Sequence, residues 1–366
     1  MKHIKLILLA IAIVTVAGCG GGSTSPSTTS NSYQGAGSDW SLKSNNDGTC
    51  VLTENTSSLT VNATCKKLPS GFTEIEVTSA AGGNSTIVAP SAGDKTYAYE
   101  ISGYMMPFIA PEGSKKKVVP AVISGTCSTT LSHNFIVSFA QTTSAANSDF
   151  SGWGAYGKYS SSDGKSLTTT IYKSDGTVLA DNISIPIDIA GNCSAGKSTI
   201  ADSIKNETSH FYLTQNGGAI FYQDRTISTD PDTTGSFEND FMLPVDGSIS
   251  NTSSLDGNYI GFVITGNGRV SYTNTPVSVT ATGGTFTVSS LSDDTSTTIN
   301  TNHSSFSLTS ATTPGLYKTS LTHTNTGNIG CAATLNAGGK KVVICGGIDP
   351  ADTTNKSLYS IILAGK

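Results

Sequence analysis

The sequence predicts an all-β protein of two or three antiparallel sandwich- or barrel-like domains behind a flexible amino-terminal tether. Three observations lead there. Short stretches alternate polar and apolar side chains, and each is bounded by Gly, Asn, Asp or Ser. Charged residues make up only 13% of the chain while Ser, Thr, Gly and Asn are abundant, a composition that suits strands and turns. Runs of Ala, Leu, Glu and Lys that would sustain long helices are absent.

The alternation is clean in Phe72–Val77 and in Thr96–Ile101. Asn182–Ile189 keeps period two for eight residues, with four isoleucines on one face and Pro186 on the other. A proline in that position predicts an edge strand or a bulge. Phe211–Leu213 and Ala219–Tyr222 flank Gly217-Gly218, which predicts a hairpin. Thr285–Val288 and Ser305–Leu308 alternate again. Thr199–Lys205, with Ile200 and Ile204 four apart, is the best helical stretch and is expected to make one or two turns.

A weak recurrence divides the chain. Tyr33–Trp40, Phe150–Gly157 and Leu255–Phe262 each carry an apolar residue, a spacer and a glycine, then aromatics. The spacing is close to common β-domain sizes. It predicts β-domains over 33–146, 147–250 and 251–366, preceded at 19–32 by a Gly/Ser/Thr tether with nothing apolar to bury beyond Cys19.

Ahead of the tether, Lys2, His3 and Lys5 form a basic head and Leu6–Ala17 an apolar run. That layout marks a secretory signal peptide, too short to cross a hydrocarbon core of about 30 Å as a helix. The run closes on Val16-Ala17-Gly18-Cys19, which resembles the lipobox of bacterial lipoproteins. The resemblance implies loss of residues 1–18 and attachment of palmitate-type acyl chains to Cys19. Several chains on one residue would supply the stable anchoring that a single chain does not. Gly20, in place of the Asp that retains such proteins at the inner membrane, implies the outer membrane; which face is left open.

Losing Lys2 and Lys5 with the signal leaves 19 basic against 26 acidic residues, a charge of about −7, and the whole chain has two arginines, Arg225 and Arg269. Nucleic-acid binding draws on basic groups for phosphates and on arginine for base edges, so that class is excluded. Six cysteines follow Cys19, and an even number in an exported chain points to disulfides. Cys331 and Cys345 flank the turn Asn336–Lys340 in two adjacent strands and are expected to pair. Cys50 and Cys65 bracket a hairpin-like stretch and are expected to do the same. Cys127 and Cys193 are left to join each other across the boundary near 147, or to remain free thiols.

Several motifs are tempting. Gly191–Ser198 fits the G-x-x-x-x-G-K-[ST] phosphate loop, but the strand before it alternates and no sustained helix follows, so no nucleotide is expected. Thiolate metal spacings are missing and the histidines fall singly, so no metal or cofactor is expected. Asn46-Asp47-Gly48 and Ser162-Asp163-Gly164 are read as turns rather than calcium loops. G-x-S-x-G and H-E-x-x-H are absent, although a triad assembled in space has no linear marker. Trp40, Trp153, Tyr156 and Tyr159 are the candidates for a surface that stacks on sugar or peptide; Trp153 and Tyr159 share one strand face and Tyr156 takes the other.

The expectation is therefore a non-enzymatic, lipid-anchored envelope protein with a structural, adhesive or assembly role. Its expected partners are the membrane, through the anchor, and an envelope protein or glycan. The alternatives are a glycan- or peptide-binding surface module and an envelope hydrolase.

Overall fold

The computed structural model describes residues 30–366 apart from 37, 86, 112–116, 124, 129, 143–149, 173–176, 187, 190, 203–206, 216, 226–235, 267–271, 292–298, 300, 322–328, 337 and 353–356. Twenty-five strands and two short 3-10 turns are named among these residues. The all-β expectation holds, and the strands gather into three antiparallel sheets.

The first eight strands are β1 (Asn31–Gly35), β2 (Trp40–Ser44), β3 (Thr49–Glu54), β4 (Leu59–Lys67), β5 (Thr73–Ala81), β6 (Lys95–Ala98), β7 (Met106–Ala110) and β8 (Lys117–Val122). They follow one another around a closed barrel, sealed where Gln34 and Gly35 of β1 pair with Val122 and Ala121 of β8. Eight strands enclose a space just wide enough for side chains to fill. Trp40, Leu42, Leu52, Val61, Ile75, Phe108 and Val119 fill it, one per turn of the alternation.

The next nine are β9 (Leu131–Thr142), β10 (Phe150–Ser161), β11 (Ser166–Tyr172), β12 (Val178–Pro186), β13 (Cys193–Ser194), β14 (Lys197–Asp202), β15 (Glu207–Leu213), β16 (Ala219–Arg225) and β17 (Ser236–Pro244). They form a half-barrel in the order β12-β11-β10-β9-β17-β16-β15-β14-β13, which leaves β12 and β13 as edges. Pro186 thus sits on an edge strand, as its chemistry requires. The expected hairpin around Gly217 is β15–β16, with Gly217 at φ 81° in the turn.

The last eight are β18 (Gly257–Gly266), β19 (Tyr272–Thr282), β20 (Thr285–Ser290), β21 (Ser305–Ser310), β22 (Leu316–Thr319), β23 (Gly330–Leu335), β24 (Lys341–Ile348) and β25 (Leu358–Gly365). They close a second barrel through eight β18–β25 residue pairs, from Tyr259↔Gly365 to Gly266↔Leu358. Its interior is built from Tyr259, Val263, Val277, Phe286, Phe306, Tyr317, Tyr359 and the Cys331–Cys345 pair.

Three expectations change. Of the expected helical stretch Thr199–Lys205, residues 199–202 lie in strand β14 and 203–205 lie outside the described residues: Lys197–Asp202 pairs residue for residue with Tyr212–Glu207 of β15, and those ladder bonds outweigh a weak helical period. The boundary at 146/147 falls between β9 and β10, which pair along twelve residues; by sheet topology the first unit ends at β8 and the second begins at β9. The recurrent Gly-aromatic motif opens the first strand of each barrel but lies on the second strand of the half-barrel, so its three copies are not structurally equivalent.

One hydrophobic core joins the units. It gathers Phe72, Tyr99 and Tyr104 of the first barrel, Ile136, Tyr156, Tyr212, Ile220 and Phe241 of the half-barrel, and Phe262, Ala332, Ile344 and Ile362 of the second barrel. Phe72, Tyr99 and Phe262 meet with ring centroids 5.2–5.5 Å apart. Tyr99 Oη donates to the Ile362 carbonyl at 2.6 Å, and Tyr104 Oη to the Met242 carbonyl at 3.2 Å. Close approach has a backbone requirement: a Cβ on Gly330 would lie 2.2 Å from the Tyr156 ring, and one on Gly218 2.3 Å from the Tyr104 ring.

Candidate functional site

The aromatic candidates are core residues wherever their side chains are described. Trp40 is 2% exposed inside the first barrel. Tyr156 is fully buried in the core shared by the three units, and Tyr159 stacks on Phe135 at 3.9 Å on the opposite face of the half-barrel. The spacing of three placed Tyr156 and Tyr159 on different faces correctly, but each ring is packed into a core on its own face of β10, so neither is open to stack on a ligand. The backbone of Trp153 lies in β10 opposite Phe139, and its side chain is outside the described residues. Cys19 is outside them as well.

All six remaining cysteines pair. Cys331 and Cys345 are direct partners across the β23–β24 ladder, with Cα atoms 4.0 Å apart. Cys50 and Cys65 join β3 to β4, and Cys127 joins the segment between β8 and β9 to Cys193 of β13. The leftover pair is thus a bond and not two thiols, and it ties the linker between the first two units to a sheet edge.

The phosphate-loop match is a hairpin. Cys193-Ser194 and Lys197-Ser198 are paired strand residues around a turn in which Ala195 and Gly196 have φ of 49° and 77°. No helix follows, so no row of helix N-terminal N–H groups faces a phosphate. The acidic turns are occupied by their own backbones. Asp47 accepts from Thr49 Oγ1 and then from Thr49 N, and Asp163 from Lys165 N, which depresses both carboxyls. Glu74 and Glu76 both reach Lys95, at 3.2 and 3.4 Å, on an exposed strand surface. Glu54 is buried; burial raises its carboxyl, but hydrogen bonds from Ser57 and Thr56 outweigh it and hold it below the usual range. It closes the β3–β4 turn.

The histidines that could have served a hydrolase have other tasks. His133 is buried and donates from Nε2 to the Gly217 carbonyl, and burial pushes its pKa down. Its Nδ1 is buried with no partner among the described residues. His210 meets the Thr199 hydroxyl at 3.2 Å; partial burial and the Lys197 charge lower its pKa. Neither is brought together with both a serine and a carboxylate among the described residues. His323 lies outside the described residues.

One polar cluster was not apparent from the sequence. His303 donates from Nε2 to Asp349 Oδ1 at 2.7 Å, with both residues buried at one end of the second barrel. Its ring lies 5.1 Å from that of Tyr359, whose phenol is raised by burial and by the Asp349 charge and has no hydrogen-bond partner among the described residues. Asp349 also accepts from Ala351 N at 2.8 Å. The pair fastens the connection before β21 to the one after β24. Forty-six residues separate His303 from Asp349, and no local pattern announces such a contact.

Among the described residues there is no group of three His, Cys, Asp or Glu side chains able to hold a metal, and no helix long and apolar enough to cross a membrane. Comparison with family models, with curated proteins and with solved structures finds no match to this chain.

Proposed function

We propose that the chain is a cell-envelope protein, held at a bacterial outer membrane by lipid on Cys19, whose three β-units act as one body in a structural, adhesive or assembly role. The observation that carries the reading is the single core shared by all three units, behind a lipobox-like signal and a flexible tether. Three disulfides support it, because they suit a body built for an oxidising compartment. A glycan-stacking surface is less well supported, since the rings of Trp40, Tyr156 and Tyr159 are enclosed.

The anchor is tested by labelling cells with a radioactive or alkyne-tagged fatty acid while expressing the protein and its Cys19→Ser variant. Label on the wild type and none on the variant is the expected result, with the variant still folding. Label retained by Cys19→Ser would remove the anchor from this proposal.

A further inference from the structure

The three disulfides differ in what can reach them and in what they hold. Cys331 and Cys345 face each other inside the second barrel, both fully buried, within a β23–β24 ladder of six residue pairs. Cys50 is buried in the first barrel and Cys65 is half-buried; their bond lies at one end of the β3–β4 ladder, which also has six pairs. In both cases backbone hydrogen bonds join the same two strands whether or not the sulfurs are bonded.

Cys127–Cys193 has the opposite character. Cys127 is exposed, and it is the only bonded cysteine that is. Its bond joins segments that share no strand ladder among the described residues. Cys127 lies in the linker between β8 and β9, and Cys193 lies in the two-residue β13, which pairs with Ser198 and Lys197 of β14. The linker meets the flank of the half-barrel at Gly125, whose N donates to the Leu213 carbonyl at 2.8 Å. A Cβ on Gly196 would lie 2.5 Å from Gly125 O, so the linker backbone is drawn close over the β13–β14 turn.

We propose that Cys127–Cys193 is a redox-sensitive clasp, which a small dithiol reductant opens while the other two disulfides stay closed. Exchange requires a thiolate to reach a sulfur, and exposed disulfides are the labile ones. A thiolate of the reductant attacks Sγ of Cys127, a mixed disulfide forms there, and Cys193 leaves as a thiolate and takes up a proton. The second thiol of the reductant then attacks its own sulfur in the mixed disulfide. Cys127 leaves and takes up the second proton, and the reductant departs as a disulfide. Two electrons and two protons have passed from the dithiol to the cysteine pair. The consequence is local. With the clasp open, β13 retains two residue pairs, too few to resist fraying. Strand β14, paired with β15 at six positions, stays in the sheet and becomes its edge.

The clasp does not depend on the lipid anchor, and its test uses the full mature protein, folded and in detergent. Dithiothreitol is the reductant; free thiols are trapped with iodoacetamide over time and located by peptide mapping. Cys127 and Cys193 should become fully labelled while Cys50, Cys65, Cys331 and Cys345 remain unlabelled. Hydrogen exchange of that partly reduced protein should rise in β13 and β14 and stay unchanged in β3, β4, β23 and β24. Removing dithiothreitol and reoxidising should restore the original exchange. The proposal is overturned if all three bonds open together, if another opens first, or if none opens without denaturant. It is also overturned if Cys127 and Cys193 are labelled and exchange in β13 does not change, since the bond would then hold nothing that the backbone does not.

Discussion

The two closed barrels and the half-barrel between them reach stability by different routes. Each barrel wraps eight strands around side chains of its own, and its first and last strands pair, so no edge remains. The half-barrel has nine strands and does not close. Its strands instead divide neighbouring residues between two cores. Phe135 faces one and Ile136 the other, Phe211 and Tyr212 part in the same way, and Met242 sits between Phe241 and Leu243 with its side chain reversed. One of those cores is shared with the barrels. A closed sheet carries its own interior, whereas an open one depends on its neighbours for half of its burial. The middle unit is therefore the part of the molecule whose integrity rests most on long-range contacts.

The largest effect that separates the two kinds of unit is expected from their disulfides. Cys127–Cys193 spans 66 residues and secures an edge strand of two residues, and the chain-entropy estimate for it is about 4 kcal/mol. Cys331–Cys345 spans 14 residues between strands already paired at six positions, and its estimate is about 3 kcal/mol. Replacing both cysteines of the first pair with serine should speed hydrogen exchange locally, in β13 and β14, as well as lowering the denaturation midpoint. The same change in the second pair should lower the midpoint of the barrel without local fraying. Equal and uniform exchange effects from the two double variants would erase the distinction between open and closed units.

Next in size is a pH effect confined to the half-barrel. Burial lowers the His133 pKa, and a proton added at Nδ1 would find no acceptor among the described residues. The unfolded chain takes up that proton near its ordinary value of about 6.5, while the folded chain does so only at lower pH. The unfolded state therefore binds more protons in that window, and stability falls as pH drops below about 6.5. Between neutral pH and one unit below 6.5 the loss from this group reaches up to about 1.4 kcal/mol. His133→Gln keeps a donor for the Gly217 carbonyl and removes the titration. Denaturant midpoints of the two proteins across that window should converge on acidification; curves that stay parallel would show that His133 is not held neutral.

Much of the fold was legible because alternation is a local property. Thr73–Val77, Thr285–Val288 and Ser305–Leu308 lie in strands, the expected Thr96–Ile101 stretch is strand only as far as Ala98, and Pro186 marked its strand as an edge. The Cys331–Cys345 pair was legible because its turn and its two strands adjoin in sequence. What failed was whatever depended on distant packing. Tyr156 is buried against Gly330 of the second barrel, where a Cβ would lie 2.2 Å from its ring, and nothing near residue 156 encodes that approach. Ile200 and Ile204 suggested a helix until β15 supplied a ladder for residues 197–202. His303 and Asp349 meet only because two barrel-end connections lie side by side. Closure itself, eight strands sealed in each barrel and nine left open, is a global count that no single segment reports.

The smallest predicted effect tests whether the barrels depend on each other at all. Tyr99 is fully buried, and burial raises its phenol far above the ordinary range, so it remains a donor at any pH the fold survives. Its hydroxyl reaches from the first barrel to the Ile362 carbonyl of the second at 2.6 Å. Tyr99→Phe removes that one bond and keeps the ring that packs on Phe72 and Phe262. The Ile362 backbone stays in its β18 and β24 ladders, so the loss should be that of one net hydrogen bond, about 1 kcal/mol. Because the bond spans two units, the cost should depend on the facing barrel. In Phe262→Ala, where the seam is already loosened, Tyr99→Phe should cost less than it does in the wild type, and a double-mutant cycle would read a coupling of at least about 0.5 kcal/mol. Additive losses would mean that the two barrels stand side by side without supporting one another.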